Sequence, residues 1–311
     1  MSTNFTEDGV AFGSCGIATY LRTMPTGAIG TVNIVIIAVD TFLAIFSVVT
    51  NSLFILTYHN SRELRNTANM LLVFLAISDI LVGCLVLPLH IVRAVMENNG
   101  DHSCVLWNIS RLVMIFCSGL SFLTIIVITH DRYFAIFYPL HYQVLFSKSR
   151  IKVVLTANGV PLVGLLLARI FLELRSFFLI ICALTFYTTI SALVVYIKIL
   201  FVARKQKIQI ENTESRLQSN RQLSNSLTEM KTTKVMACVL GAMILCYFPG
   251  TCFWIYGNYH GYTVESLYTV VPFLETALFM NSAINPVVYV LRSRKIRTAF
   301  LKSNFRRSWT S

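Results

Sequence analysis

Asp131, Arg132 and Tyr133 stand side by side in the stretch ITHDRYFAIFYPLHY, and no charged side chain precedes them back to Arg111. An acid beside a base at the edge of an apolar run forms an ion pair whose desolvation must be offset by good geometry. The pair is either a fixed anchor at a membrane surface or a contact that another charge can break. The second reading is preferred, because of what the rest of the chain contains.

More polar residues interrupt the apolar runs. Asp79 in LAISDILVG is one, and Asn51, Ser121, Asn281, Ser282 and Asn285 are others. Polar groups inside a bilayer are costly and each invites a functional reading. A carboxylate among hydroxyl and amide oxygens suits a small hard cation with its waters. The alternative reading is a structural hydrogen-bond network that keeps Asp79 satisfied or protonated, and the two readings are compatible. Nearer the outer ends lie the acids Asp40 and Glu275 and the bases Arg111 and Arg169. They could form the rim of a pocket for a zwitterionic or charged ligand; an Arg–Glu pair between helices, or snorkelling, explains them equally well. His59, His90, His130 and His141 sit at the ends of apolar runs without metal-ligand spacing such as H-E-x-x-H. They read as interface residues, so neither a metal centre nor a catalytic residue is expected, and the chain is not expected to be an enzyme.

These residues need elements to hold them. Only 13% of the 311 residues are charged and 55% are hydrophobic, with a mean hydropathy of +0.67. A soluble domain carries about 25% charged residues. Seven apolar runs cover residues 32–58, 67–93, 106–134, 151–171, 176–203, 232–257 and 265–290. Each exceeds the roughly 20 residues a helix needs to cross a bilayer. The expected fold is all-α, a seven-transmembrane helix bundle. LRSRKIRTAFLK follows the last run, and its apolar residues share one helical face with bases on the other. This predicts a short amphipathic helix on the inner membrane surface. The expected organisation is an outer tail at 1–31, the membrane domain at 32–290, and a cytoplasmic helix and tail at 291–311.

Basic residues set the orientation. Arg62, Arg65, Lys148, Arg150, Lys152 and the bases after span seven all fall on one face. The net charge of +12 therefore follows the membrane and its anionic inner lipid rather than nucleic acid. The N-terminus is expected outside and the chain at the plasma membrane. Residues 1–30 lack a short apolar core, so the first span is expected to act as its own targeting signal. The sequon at Asn4 fits an outer tail and is expected to carry glycan. Most of the eight cysteines lie within spans as small packing residues.

Asn51, LAISD ending at Asp79, DRYFAIFYPLHY from Asp131, Pro249, and NSAINPVVY ending at Tyr289 fall in order, one per expected span. In this combination the chain resembles a rhodopsin-like (class A) G-protein-coupled receptor from about residue 33 to 302. A transporter or channel is the alternative, disfavoured because no internal repeat is visible. The resemblance implies that Arg132 faces a heterotrimeric G protein in the active state and at rest pairs with Asp131 and Glu229. Such a desolvated pair is a two-state latch. It further implies that Leu140, beside Pro139, contacts the G protein, and that Tyr133, Tyr196 and Tyr289 mark the inner end. Pro249 gives span six a pivot, with Tyr247 where the family usually has Trp. Asn285 and Pro286 complete the switch, and Asp79 with its neighbours implies an allosteric sodium ion. Arrestin and membrane lipid are implied as further partners.

Several family marks are absent. Span four has no Trp and span five no Pro. The loop between them, LELRS, has no Cys, so the usual outer disulfide cannot form; Cys104 is either free or paired with Cys15. The short loop, missing Pro and missing Cys resemble the melanocortin layout, within the group of adenosine, cannabinoid and lysophospholipid receptors. The implied pocket for a small-molecule or peptide ligand contains Arg111, Met114, Arg169, Tyr187, Tyr247, Trp254, Glu275 and Phe279. Met114 occupies the place of the amine receptors' anchoring Asp. Phe279 occupies that of the retinal lysine, and since span seven holds no Lys, no retinal is expected.

Overall fold

A computed structural model describes residues 26–304 except 100, 102, 139–141, 143–146, 173, 214–219, 262–265 and 267–268. Expectations for Asn4, Cys15, Pro139 and Leu140, and for the side chains of Cys104 and Glu229, lie outside the described residues.

Helices make up the architecture, and no strand occurs among the described residues. They are α1 (Thr26–Asn60), α2 (Thr67–Asn98), α3 (Cys104–Phe137), α4 (Lys148–Ala157 continued by Gly159–Phe171), α5 (Leu174–Thr213), α6 (Asn220–His260), α7 (Val271–Arg292) and α8 (Arg294–Asn304). The first seven are long and apolar enough to cross a membrane. Side-chain caps start three of them: Asn66 accepts from the Asn69 amide, Ser103 from Leu106 and Ser147 from Arg150. α6 ends where Gly261 takes a φ of 87°, a conformation glycine adopts without strain.

Polar side chains turn inward and apolar ones cover the outside. Ile34, Phe42, Val153, Val160 and Leu245 are exposed, as lipid-facing residues must be. The larger core cluster lies in the half of the bundle nearer α8, around Phe54, Leu71, Leu75, Ile125, Ile128, Met243 and Tyr289. A second, smaller one joins Leu43, Val86, Leu87, Cys117 and Phe279. Gly83 lets α1 and α2 approach: a Cβ there would lie 2.7 Å from a Val48 methyl and 3.2 Å from the Ala44 carbonyl oxygen.

α2 is not uniform. Val82–Val86 widens into a π turn just before Pro88. Proline has no N–H to give and crowds the preceding turn, so the ladder there must loosen. One extra residue in a turn rotates everything beyond it by about 100°. That rotation decides which residues of the outer half of α2 face the bundle.

α8 has the expected character: Ile296 is buried while Arg294, Lys295 and Arg297 are exposed. Asn60 at the end of α1 donates to the Ser303 hydroxyl at 3.1 Å, holding α8 against the bundle.

Candidate ligand cavity and signalling switch

A cavity of about 340 Å³ opens among α3, α4, α5, α6 and α7. Met114, Phe122, Leu162, Phe178, Leu274 and Leu278 form much of its wall; hydroxyls come from Ser118, Thr185, Thr188, Thr251 and Tyr247, and charges from Arg111 and Glu275. Of the residues predicted for a ligand pocket, Arg111, Met114, Tyr247, Trp254 and Glu275 line it. Three others are placed elsewhere. Tyr187 points outward and is 71% exposed, the neighbouring Thr185 and Thr188 facing the cavity instead. Arg169 donates to the Leu172 carbonyl at 3.0 Å and caps its own helix. Phe279 is fully buried with its ring 5.3 Å from that of His90.

The charged end of the cavity opens onto a buried cluster drawn from four helices. Glu275 Oε2 accepts from Arg93 Nη2 at 2.6 Å and lies 2.9 Å from His90 Nε2. His90 Nδ1 lies 2.5 Å from Asp40 Oδ2, and Thr276 donates to Asp40 Oδ1 at 2.9 Å. Arg93 also reaches Glu97 at 3.6 Å. Arg111 comes to 3.4 Å from Glu275 Oε1, its guanidinium over the rings of Trp107, Phe178 and Trp254 at 4.5, 4.9 and 5.1 Å. Those faces attract a cation and shield it from lipid. His90, read as an interface residue, is therefore corrected: it is 3% exposed and bridges two carboxylates. The π turn before it carries it, with Arg93, inward. Their spacing, His90, Arg93 and Glu97, lies on one helical face and was the available signal.

At the cavity floor Tyr247 packs on Phe122, with ring centroids 5.2 Å apart, and donates to the Ser118 carbonyl at 3.2 Å. One helical turn deeper Ser121 donates to Asp79 Oδ1 at 3.0 Å, while Asn285 donates to Oδ2 at 2.8 Å. Asn51 donates to the carbonyls of Ser47 and Ser282 at 2.9 and 3.1 Å, and Ser47 to that of Asp79 at 3.2 Å. All six polar residues predicted for this network, Asn281 and Ser282 included, are buried. Asn281 differs in that its amide, though buried, makes no hydrogen bond among the described residues. The side-chain oxygens of Asn51 and Asn285 are likewise without a hydrogen bond. Buried oxygens beside a carboxylate are a donor set suited to a hard cation.

At the inner end, Arg132 donates through Nε to Asp131 Oδ2 at 2.8 Å and again through Nη2. Tyr142 donates its phenol to Asp131 Oδ1 at 2.8 Å. Tyr142 had no assigned role in the sequence; it lies beyond α3, where helical spacing predicts no contact. Tyr133 stacks on Phe137, centroids 4.6 Å apart, one turn along its own helix. Tyr289 is fully buried against Phe54, and Tyr196 packs against the same core cluster. Pro249 and Pro286 lie within α6 and α7.

The sequence pattern of the 7 transmembrane receptor (rhodopsin family) matches residues 50–174 and 169–289. The chain belongs to this family. It is a G-protein-coupled receptor. Its relatives include the human (Homo sapiens) histamine H2 receptor, 29% identical over 291 residues covering 86% of this chain and 78% of that receptor. They also include trace amine-associated receptor 4 of Rattus norvegicus, 26% identical over 77% of this chain and 76% of its own, and octopamine receptor beta-2R of Chilo suppressalis, 26% identical over 83% and 76%. These relatives correct one expectation. The receptor's kinship runs to receptors named for amines, not to the melanocortin, adenosine and cannabinoid group that its short loop and missing proline suggested. Loop length and a single helix proline are local features that change without altering the bundle.

Proposed function

We propose that the receptor lies in the plasma membrane with its N-terminus outside, takes a small extracellular ligand into the cavity above Tyr247, and passes the change through α6 to a heterotrimeric G protein at Arg132. Arrestin and inner-leaflet lipid share that inner face, the lipid through the exposed bases of α8. Asp79, Asn51, Ser121, Ser282 and Asn285 hold a sodium ion that favours the resting bundle, with the buried Asn281 beside them.

One contact carries this reading. Tyr247 ties α6 to α3 at the cavity floor, two residues before Pro249. A ligand that packs on this floor competes directly with the tie, and Pro249 has already removed one backbone hydrogen bond from the helix that must move. Below it, the Asp131–Arg132 pair is buried, so it opens only when another group takes the charge of Arg132. The relatives are named for amines, yet Met114 gives α3 no acid; the acid on the cavity wall is Glu275, in α7.

The test is second-messenger output, cAMP and calcium, from cells expressing wild type or Arg132→Ala at matched surface levels. Wild type is expected to change one messenger and Arg132→Ala neither. Equal output from both would overturn the assignment of Arg132.

A further inference from the structure

Among the described residues, the fixed charges in the outer cluster do not balance. Asp40, Glu97 and Glu275 supply three carboxylates against the two guanidiniums of Arg93 and Arg111, all near His90 on α1, α2, α3 and α7. His90 touches Asp40 with one nitrogen and Glu275 with the other. An ionised carboxylate only accepts hydrogen bonds, so with Asp40 and Glu275 both ionised the ring that serves them carries both protons. The cluster is then neutral, and one of its three positive charges is a removable proton.

One oxygen in it is poorly served. Glu275 Oε2 has Arg93 and His90, but Oε1 has no hydrogen bond among the described residues, and Arg111 stands off at 3.4 Å. Glu275 and Arg111 both line the cavity. Trp254 and Phe178 stack beside them, centroids 5.1 Å apart and 6° from parallel, offering faces that favour a cation. Ser118, 8% exposed, lines the same cavity, and its hydroxyl oxygen lacks a hydrogen-bond partner among the described residues.

We propose that Glu275 Oε1 anchors the protonated amine of a small, largely apolar ligand, and that this ammonium enters in exchange for the proton on His90. The exchange rests on the reading of the cavity as the ligand site. Nitrogen–hydrogen bonds of the ammonium satisfy Oε1, the ligand body lies against the apolar wall, and a polar group at its far end meets Ser118. The added positive charge would unbalance the cluster; His90 restores neutrality by releasing one proton to water. Its neutral ring keeps a single donated bond. An anion is disfavoured, since it would draw Arg111 from Glu275 and leave negative charge in surplus.

The test is calorimetric binding of tyramine, tryptamine and cyclohexylmethylamine to the purified full-length receptor in detergent, from about pH 6 to about pH 8, where such amines stay fully charged. At least one amine is expected to bind, with affinity rising by up to about tenfold per pH unit, the limit for one exchanged proton. Titration in two buffers of different ionisation enthalpy counts that proton in wild type without relying on any variant. His90→Gln is expected to bind independently of pH, and Glu275→Gln to bind at least about tenfold more weakly, as when a charged hydrogen bond is lost. Binding of 4-hydroxyphenylacetic acid but no amine, amine binding unchanged in Glu275→Gln, no proton release, or no binding by any of the amines overturns the proposal. Basal nucleotide exchange on added G protein, measured on the same preparation, tests the receptor reading separately: exchange without amine binding removes the anchor alone.

Discussion

Tyr142 donates its phenol to Asp131 Oδ1 at 2.8 Å, while Arg132 holds the other carboxylate oxygen of the same residue. Asp131 is therefore fixed from both sides, by its own helix and by the segment beyond it. A hydrogen bond to a charged group contributes about 1.5–3 kcal/mol, and every 1.4 kcal/mol or so is a factor of ten in a two-state equilibrium.

If the Asp131–Arg132 pair is the proposed resting latch, removing that hydroxyl should loosen it. Tyr142→Phe is expected to raise ligand-free second-messenger output several-fold at matched surface expression while leaving the fold intact. Output equal to or below wild type would show that the Tyr142 bond does not favour the resting state.

Arg93 and Glu275 are a buried pair whose partners cannot turn to water. Removing one side of such a pair costs about 3–5 kcal/mol, because the other charge stays behind. Arg93→Met and Glu275→Gln should each lower the unfolding temperature of the detergent-solubilised receptor, and the double change should cost clearly less than the two together. Strict additivity would mean that the pair is not coupled.

Much of this was legible beforehand. Asp79 and Asn285 stand far apart in the chain, yet each is a polar residue within an apolar run, and the cost of burying either alone favours their meeting. Glu275 and Arg111 were legible for the same reason. Counting along a helix fixes height in the membrane but leaves the direction around the axis open. Tyr187 and Phe279 are at cavity height and face elsewhere. His90 reads as an interface residue from its place near the end of an apolar run; its ring is instead buried between Asp40 and Glu275, beyond a π turn at Val82–Val86 that leaves no mark in hydropathy. Tyr142 lay in a segment without periodicity, where nothing in the sequence assigns a contact.

The sodium ion proposed at Asp79 has a thermodynamic signature. A cation that binds only the folded receptor stabilises it, by about 1.4 kcal/mol when present at ten times its dissociation constant. Replacing sodium chloride with choline chloride at constant ionic strength should lower the unfolding temperature of wild type. In Asp79→Asn, which keeps the shape and removes the charge, the salt exchange should have no effect. The same sodium dependence in both proteins would place the ion elsewhere or exclude it.

Gly83 decides how closely α1 and α2 pack. A methyl group there meets the Val48 side chain at 2.7 Å and the Ala44 carbonyl oxygen at 3.2 Å, and Val48, branched at Cβ on a helix, has little rotamer freedom with which to yield. Gly83→Ala should therefore destabilise the receptor by about 1–3 kcal/mol, the usual cost of overpacking. Because Gly83 lies in the π turn that sets the direction of His90 and Arg93, the strain also disturbs the outer cluster. Val48→Ala removes the closer contact, so the double variant should recover part of the lost unfolding temperature, the backbone contact accounting for the rest. A Gly83→Ala receptor as stable as wild type would mean that the two helices can part at this point without cost.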